Sequence, residues 1–139
     1  MKKILCAAAA DTRAAGEALA QNLSPNAVVA LCGEMGAGKT EFVRGMARVL
    51  SPEAAVSSPT FALVNEYAGN PPFFHWDAMR LTGYDDLLST GFFDQLGLGI
   101  FAVEWAENIG PWLPEDRITV RFTVGDDGTR NINITGKDF

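Results

Sequence analysis

At 139 residues the chain has room for one domain and can bury a core without a metal or disulfide staple. Its 47% hydrophobic and 20% charged residues suit a globular fold, and no apolar run approaches the ~20 residues of a membrane span. A net charge of −6 makes it a poor solitary binder of nucleic acid, whose phosphates need Lys and Arg, so a basic protein partner or a partner that holds the polymer is expected instead.

The start, MKKILCAAAADTR, has two lysines and a short apolar stretch that stops at Asp11 with no cleavage region after it. It reads as a first strand, about Ile4 to Ala8, rather than an export signal. Cys6 and Cys32 both sit in apolar stretches, which points to buried thiols and a reducing, cytoplasmic setting. Asp11-Thr12 can cap a helix that Ser24-Pro25-Asn26 ends. Ala27 to Cys32 (AVVALC) is a continuous apolar run, as expected for a parallel strand covered on both faces. A glycine-rich turn follows. Lys39 to Leu50 then has helical spacing, with Phe42, Val43, Met46, Val49 and Leu50 on one side.

Ser51-Pro52-Glu53 breaks that pattern, and Ser57-Ser58-Pro59 is a loop. Thr60 to Tyr67 alternates loosely, Gly69-Asn70-Pro71-Pro72 turns, and Phe73 to Asp77 is another short strand. Tyr84 to Ser89 reads as a short helix, and Leu98 to Glu104 (LGIFAVE) as an apolar strand closing in a carboxylate. Strands at about Arg117 to Val124 and Arg130 to Thr135 flank Gly125-Asp126-Asp127-Gly128, a hairpin signal.

The turn after AVVALC is GEMGAGKT, Gly33 to Thr40. A strand before it and a helix after it are the context of a P-loop. Gly33, Gly36 and Gly38 allow backbone angles that turn N–H groups inward, and the helix N-terminus adds its positive end. Lys39 reaches the β- and γ-phosphates, and the Thr40 hydroxyl is a ligand for Mg²⁺. Glu34, Gly36, Ala37, Gly38, Lys39 and Thr40 are therefore the cradle's candidate nucleotide-binding residues. The overall expectation is an α/β fold over residues 1–139. It has a P-loop NTPase-like, mostly parallel central sheet, helices on both faces and a C-terminal antiparallel hairpin.

A P-loop needs a carboxylate for its metal at the carboxyl end of a nearby strand, and Glu104 and Asp77 both qualify. Thr60, in SSPTF, is placed as a switch-like loop residue. Asp94-Gln95-Leu96-Gly97 matches the DxxG of a GTPase, but no guanine-reading Asn-Lys-x-Asp occurs, so ATP is favoured.

These residues together resemble the TsaE family, a small P-loop ATPase of bacterial threonylcarbamoyladenosine tRNA modification. The shared stretches are the Thr12 helix, GEMGAGKTEFVRG, SPTFALVNEY (Ser58 to Tyr67), HWDAMRL (His75 to Leu81), EWAE (Glu104 to Glu107) and RNINITG (Arg130 to Gly136). The resemblance implies ATP binding, slow hydrolysis with Mg²⁺, and work beside TsaB- and TsaD-type partners, the second of which modifies the adenosine next to the anticodon. It implies that Gly36 to Lys39 bind phosphates, that Thr40 and Glu104 hold Mg²⁺, and that Asp77 is the HxD aspartate needed for hydrolysis. Thr60 falls in the switch-like loop, and Thr12 and Arg130 flank the nucleotide base. Ala78-Met79 stands where the family commonly has Leu-Tyr. Two other readings remain: a small-molecule kinase, which the absence of Lys and Arg from Thr82 to Gly97 opposes, and a nucleotide-gated binding module.

Overall fold

The computed structural model describes residues 1–34, 36–59, 63–136 and 139. Among the described residues seven strands form one sheet: β1 (Lys2–Cys6), β2 (Val28–Cys32), β3 (Val64–Tyr67), β4 (Phe73–Asp77), β5 (Ile100–Glu104), β6 (Ile118–Val124) and β7 (Arg130–Thr135). The α-helices among these residues are α1 (Ala9–Ala20), α2 (Lys39–Leu50), α3 (Tyr84–Ser89) and α4 (Phe92–Gln95). A kinked 3-10 stretch covers Ala106–Trp112. The strand order is β1-β7-β6-β2-β5-β4-β3. The central strands β6, β2, β5 and β4 run parallel, while β7 and β1 on one side and β3 on the other pair antiparallel. The expected mixed α/β sheet and its closing hairpin are both present.

Strand alternation assigns the two faces. Val29 and Leu31 of β2 pack with Ala15 and Leu19 of α1 and with Phe42, Val43 and Met46 of α2. Val28, Ala30 and Cys32 face the other way, against Leu87, Phe92 and Ile109. Helices therefore cover both faces, and β2 and β5 are buried along their whole lengths. Both cysteines are buried and unpaired with each other. Among the described residues no helix is long and apolar enough to cross a membrane.

Several boundaries differ from the sequence expectation for local reasons. β1 stops at Cys6 because α1 begins earlier than Asp11. The Asp11 carboxylate sits inside the first turn and accepts from the Ala7 and Ala8 amides, each at 3.1 Å, so it caps from within. On α2, Val49 is 37% exposed, whereas Gly45 and Ala47 are buried. Helix α1 crosses α2 there. A Cβ on Gly45 would lie 1.9 Å from the Arg13 carbonyl oxygen, and one on Gly16 would lie 2.1 Å from that of Phe42. Helix α4 and the 3-10 stretch were not anticipated. β3 is described from Val64, and Thr60 lies outside the described residues.

Candidate functional site

Three adjacent parallel strands end together. In the β4–β5 register Asp77 stands beside Glu104, and in the β2–β5 register Glu104 stands beside Leu31, two residues before Gly33. This is the carboxyl edge of the sheet, where open α/β sheets collect ligands. The apolar runs VVALC and IFAVE make this possible, because each is long enough to cross the core; the first then gives way to the glycine turn at Gly33 and the second closes in Glu104.

The cradle follows β2 directly. Gly33, Gly36 and Gly38 have φ of +149°, +81° and +106°. A Cβ on Gly33 would meet the Phe122 carbonyl oxygen at 2.8 Å, so the loop enters against β6 with no space to spare. Gly38 caps α2 in the left-handed region, which leaves the first helical amides aimed at the turn. The Gly33 amide donates to Glu107 Oε2 at 3.2 Å, tying the start of the loop to the 3-10 stretch.

Lys39 is 4% exposed and folded back on its own loop. Its Nζ donates to the Gly33 carbonyl and lies 3.7 Å from the centre of the Trp105 ring, a cation–π contact. Burial pushes its ammonium below the ordinary lysine value of 10.5, against the pull of Glu107, Glu104 and Asp77. Trp105 itself has φ of +58°, an unusual backbone for an aromatic residue, and that bend turns the chain out of β5 into the 3-10 stretch.

Thr40 Oγ1 lies 3.2 Å from both oxygens of Glu104. The second of those oxygens also meets His75 Nε2 at 2.5 Å, with His75 fully buried. The carboxylate accepts, so the imidazole donates from Nε2. A hydroxyl and a carboxylate meeting at a helix N-terminus are hard oxygen donors. Mg²⁺ is held in phosphate sites by such a pair together with water and phosphate oxygens, so these residues fit it. Among the described residues no cluster of three or more His, Cys, Asp or Glu could hold a metal without such help.

Asp77 is 4% exposed, and its Oδ1 accepts from the Met79 amide at 2.9 Å. Asp77, Glu104, Lys39, Thr40, Ser58 and Trp105 line one cavity of about 410 Å³. A smaller cleft, about 220 Å³, runs along the other side of the loop past Thr12, Gly36, Gly38, Glu41 and Arg130. There Thr12 is buried against Gly38, and Arg130 donates to the Gly36 carbonyl at 3.1 Å. Glu34 stands apart from both: it is exposed and borders a third hollow with Ala37, Trp105 and Glu107. A larger cavity, about 580 Å³, opens at the opposite end of the strands, and among the described residues no Lys or Arg lines it.

Sequence reasoning brought Lys39, Thr40, Asp77 and Glu104 to one place. It assigned no role to Glu107 or Asn108. The Asn108 amide donates to the Ala78 and Met79 carbonyls at 2.9 and 3.2 Å, bracing the turn after Asp77. The short interval from Glu104 was the available clue, since residues just past a strand-end carboxylate fold back over the same edge.

Comparison with known proteins gives a consistent relationship. The sequence model described as threonylcarbamoyl adenosine biosynthesis protein TsaE matches residues 6–132. The chain is 38% identical to the Nostoc sp. protein called tRNA threonylcarbamoyladenosine biosynthesis protein TsaE, over 97% of this chain and 86% of that one. It is 35% identical to the Treponema pallidum protein of the same name, over 91% and 94%. A crystal structure of Bacillus subtilis YdiB superposes with a TM-score of 0.77 at 31% identity, covering 97% of this chain and 84% of that one. A match that runs from Cys6 to Ile132 takes in the cradle, both strand-end carboxylates and the closing hairpin as far as the middle of β7, and the chain belongs to the TsaE family.

Proposed function

We propose that the chain binds Mg-ATP and hydrolyses it slowly within the assembly that installs threonylcarbamoyl on the adenosine beside the tRNA anticodon. TsaB- and TsaD-type proteins are its partners, and hydrolysis resets their assembly between turnovers. The observation that carries the reading is Thr40 Oγ1 set 3.2 Å from both Glu104 oxygens at the mouth of the P-loop. The family relationship supplies the pathway.

The residues divide the work. Lys39 exchanges the Gly33 carbonyl and the Trp105 ring for β- and γ-phosphate oxygens. The loop amides and the start of α2 take the remaining phosphate charge. Thr40 and Glu104 hold Mg²⁺, and His75 fixes the Glu104 carboxylate in place. Bound Mg²⁺ supplies neutralisation of the charge that develops on the phosphoryl oxygens. Asp77, on the floor of the same cavity, orients the attacking water. Thr12 and Arg130 border the cleft assigned to the base. With a net charge of −6 the chain leaves tRNA to its partners.

The test is ATP hydrolysis by the chain alone and with the purified TsaB- and TsaD-type pair. Weak basal turnover, changed by the pair and lost in Lys39→Ala, is expected. Equal hydrolysis by wild type and Lys39→Ala would refute the site. ATP-dependent phosphorylation of a small molecule would favour a kinase instead.

A further inference from the structure

Away from the cradle, α3, α4 and the end of the 3-10 stretch leave an apolar face uncovered. Tyr84 and Leu88, one helical turn apart on α3, are 46% and 52% exposed. The Tyr84 ring lies 5.7 Å from Phe93 of α4 and 6.1 Å from Trp112. Phe93 and Trp112 are half-buried, and both pack against the core cluster beneath. That base is close-packed: Leu87 and Phe92 are fully buried, and Phe92 packs edge-on against Trp76 and Phe101. Exposed aromatic and aliphatic groups gathered on a firm base differ from the single surface hydrophobics every protein has. They have the composition of an interface centre.

The two helices of the face carry exposed carboxylates. Asp85, Asp86 and Asp94 are exposed around the aromatic group. From Leu81 to Asp116 the chain has no Lys or Arg, and Asp85, Asp86, Asp94, Glu107, Glu115 and Asp116 are exposed, with Arg80 and Arg117 standing just outside this interval. The Thr82 amide and hydroxyl both donate to Asp86, at 3.1 and 2.5 Å, and hold its carboxyl below the usual aspartate value, so this part of the rim stays charged. Such a rim repels nucleic acid and attracts a basic protein surface.

The face is also wired to the site. Helix α3 is reached from Asp77 through Ala78 to Gly83, and Trp112 is reached from Glu104 through the 3-10 stretch. Asn108 joins the two paths through the Ala78 and Met79 carbonyls. The Ala78 amide in turn donates to the Glu104 carbonyl at 2.9 Å.

We infer that the Tyr84–Leu88–Phe93–Trp112 face is the docking surface for a protein partner that presents basic residues around an apolar pocket. This rests on the proposed role within an assembly, and it identifies which side of the chain makes the contact. A partner seated there touches both segments that leave the site's carboxylates.

The test measures association of the chain with the purified TsaB- and TsaD-type pair on a biosensor, at low and physiological salt. Leu88→Arg and Tyr84→Arg break the apolar centre at exposed positions, and Asp94→Lys reverses the rim. Mg-ATP affinity and thermal midpoint are followed in parallel and are expected to be unchanged. Each variant is expected to weaken association about tenfold or more, and added salt to weaken the wild type. Wild-type association that all three variants retain would overturn the surface and leave the assembly role standing. No association by the wild type would overturn both. Self-association or tRNA binding lost in the same variants would assign the face to a different occupant and overturn the inference.

Discussion

Lys39 is the single cation buried at the cradle among the described residues, and its present partners are substitutes. A carbonyl and an indole ring satisfy an ammonium only in part, so arriving phosphate oxygens gain charge-assisted bonds without first breaking an ion pair. Lys39→Ala is therefore expected to weaken ATP binding by about 10- to 100-fold, the worth of a lost charged hydrogen bond, when measured by titration calorimetry. Asp77 differs, since it lines the cavity floor and caps its own turn through the Met79 amide. Asp77→Asn can keep that acceptor, so ATP binding is expected to persist while single-turnover hydrolysis falls about 100-fold or more. Loss of binding and turnover together would remove the proposed role. Glu41 gives a residue-scale pH dependence. Its hydrogen bond from Arg13, at 2.7 Å, with Arg44 also in contact, holds its carboxyl below the ordinary value of 4.5. A carboxyl depressed on folding stabilises the fold above its unfolded value, and that contribution is lost as pH falls through the folded value. The thermal midpoint of Glu41→Gln is therefore expected to fall below that of wild type at pH 7. The gap should close as pH drops below about 4.5, which midpoint measurements across pH would show.

At the scale of elements, the pairing of α1 with α2 governs the cradle's geometry. Gly16 and Gly45 let the two helices approach until a backbone carbonyl of one occupies the space where the other would carry a Cβ. Thr12 and the cap of α2 meet only because of that approach. Gly45→Ala is expected to destabilise the fold by about 1–3 kcal/mol, an overpacking cost, and to lower ATP affinity as Thr12 moves from Gly38. Denaturant melts and calorimetry on the same variant check both, and an unchanged melt would show that the helices can part freely. This contact also shows where sequence periodicity fails. Phe42, Val43 and Met46 were legible as a buried stripe, but Val49 was placed on it while Gly45 and Ala47 belong there. The apolar pattern records affinity for the sheet and says nothing of a second helix crossing at small residues. Elements bounded by strong local signals were read correctly: α2, β4, α3 and β7 match the expected limits. Helix α4 was not anticipated, being a single turn between two glycines.

At the scale of the molecule, the site is legible in sequence where it is local and hidden where it depends on contacts between distant segments. GEMGAGKT, Asp77 and Glu104 each stand at a strand end that the sequence itself marks. The bonds from His75 to Glu104 and from Gly33 to Glu107 join segments 29 and 74 residues apart, and only the strand order brings them together. That distribution gives a whole-molecule expectation. The cradle is built from β2 and α2, its carboxylates come from β4 and β5, and its second cleft takes Thr12 from α1 and Arg130 from β7. A nucleotide that contacts all of these binds the folded chain and has no comparable site on the unfolded one. At 100 times its dissociation constant such a ligand stabilises by about 2.7 kcal/mol. For a chain of this length that corresponds to a rise in thermal midpoint of about 10 °C. The rise is expected with Mg-ATP, smaller with ATP and chelator, and cut to about 2–5 °C in Lys39→Ala at the same nucleotide concentration, since a 10- to 100-fold weaker site leaves only about 0.4–1.4 kcal/mol. Thr40→Ala should retain the chelator value and lose only the magnesium increment, because its hydroxyl is assigned to the metal alone. A Thr40→Ala chain that still gained the full magnesium increment would move the metal away from the Thr40–Glu104 pair, and with it the central assignment of the site.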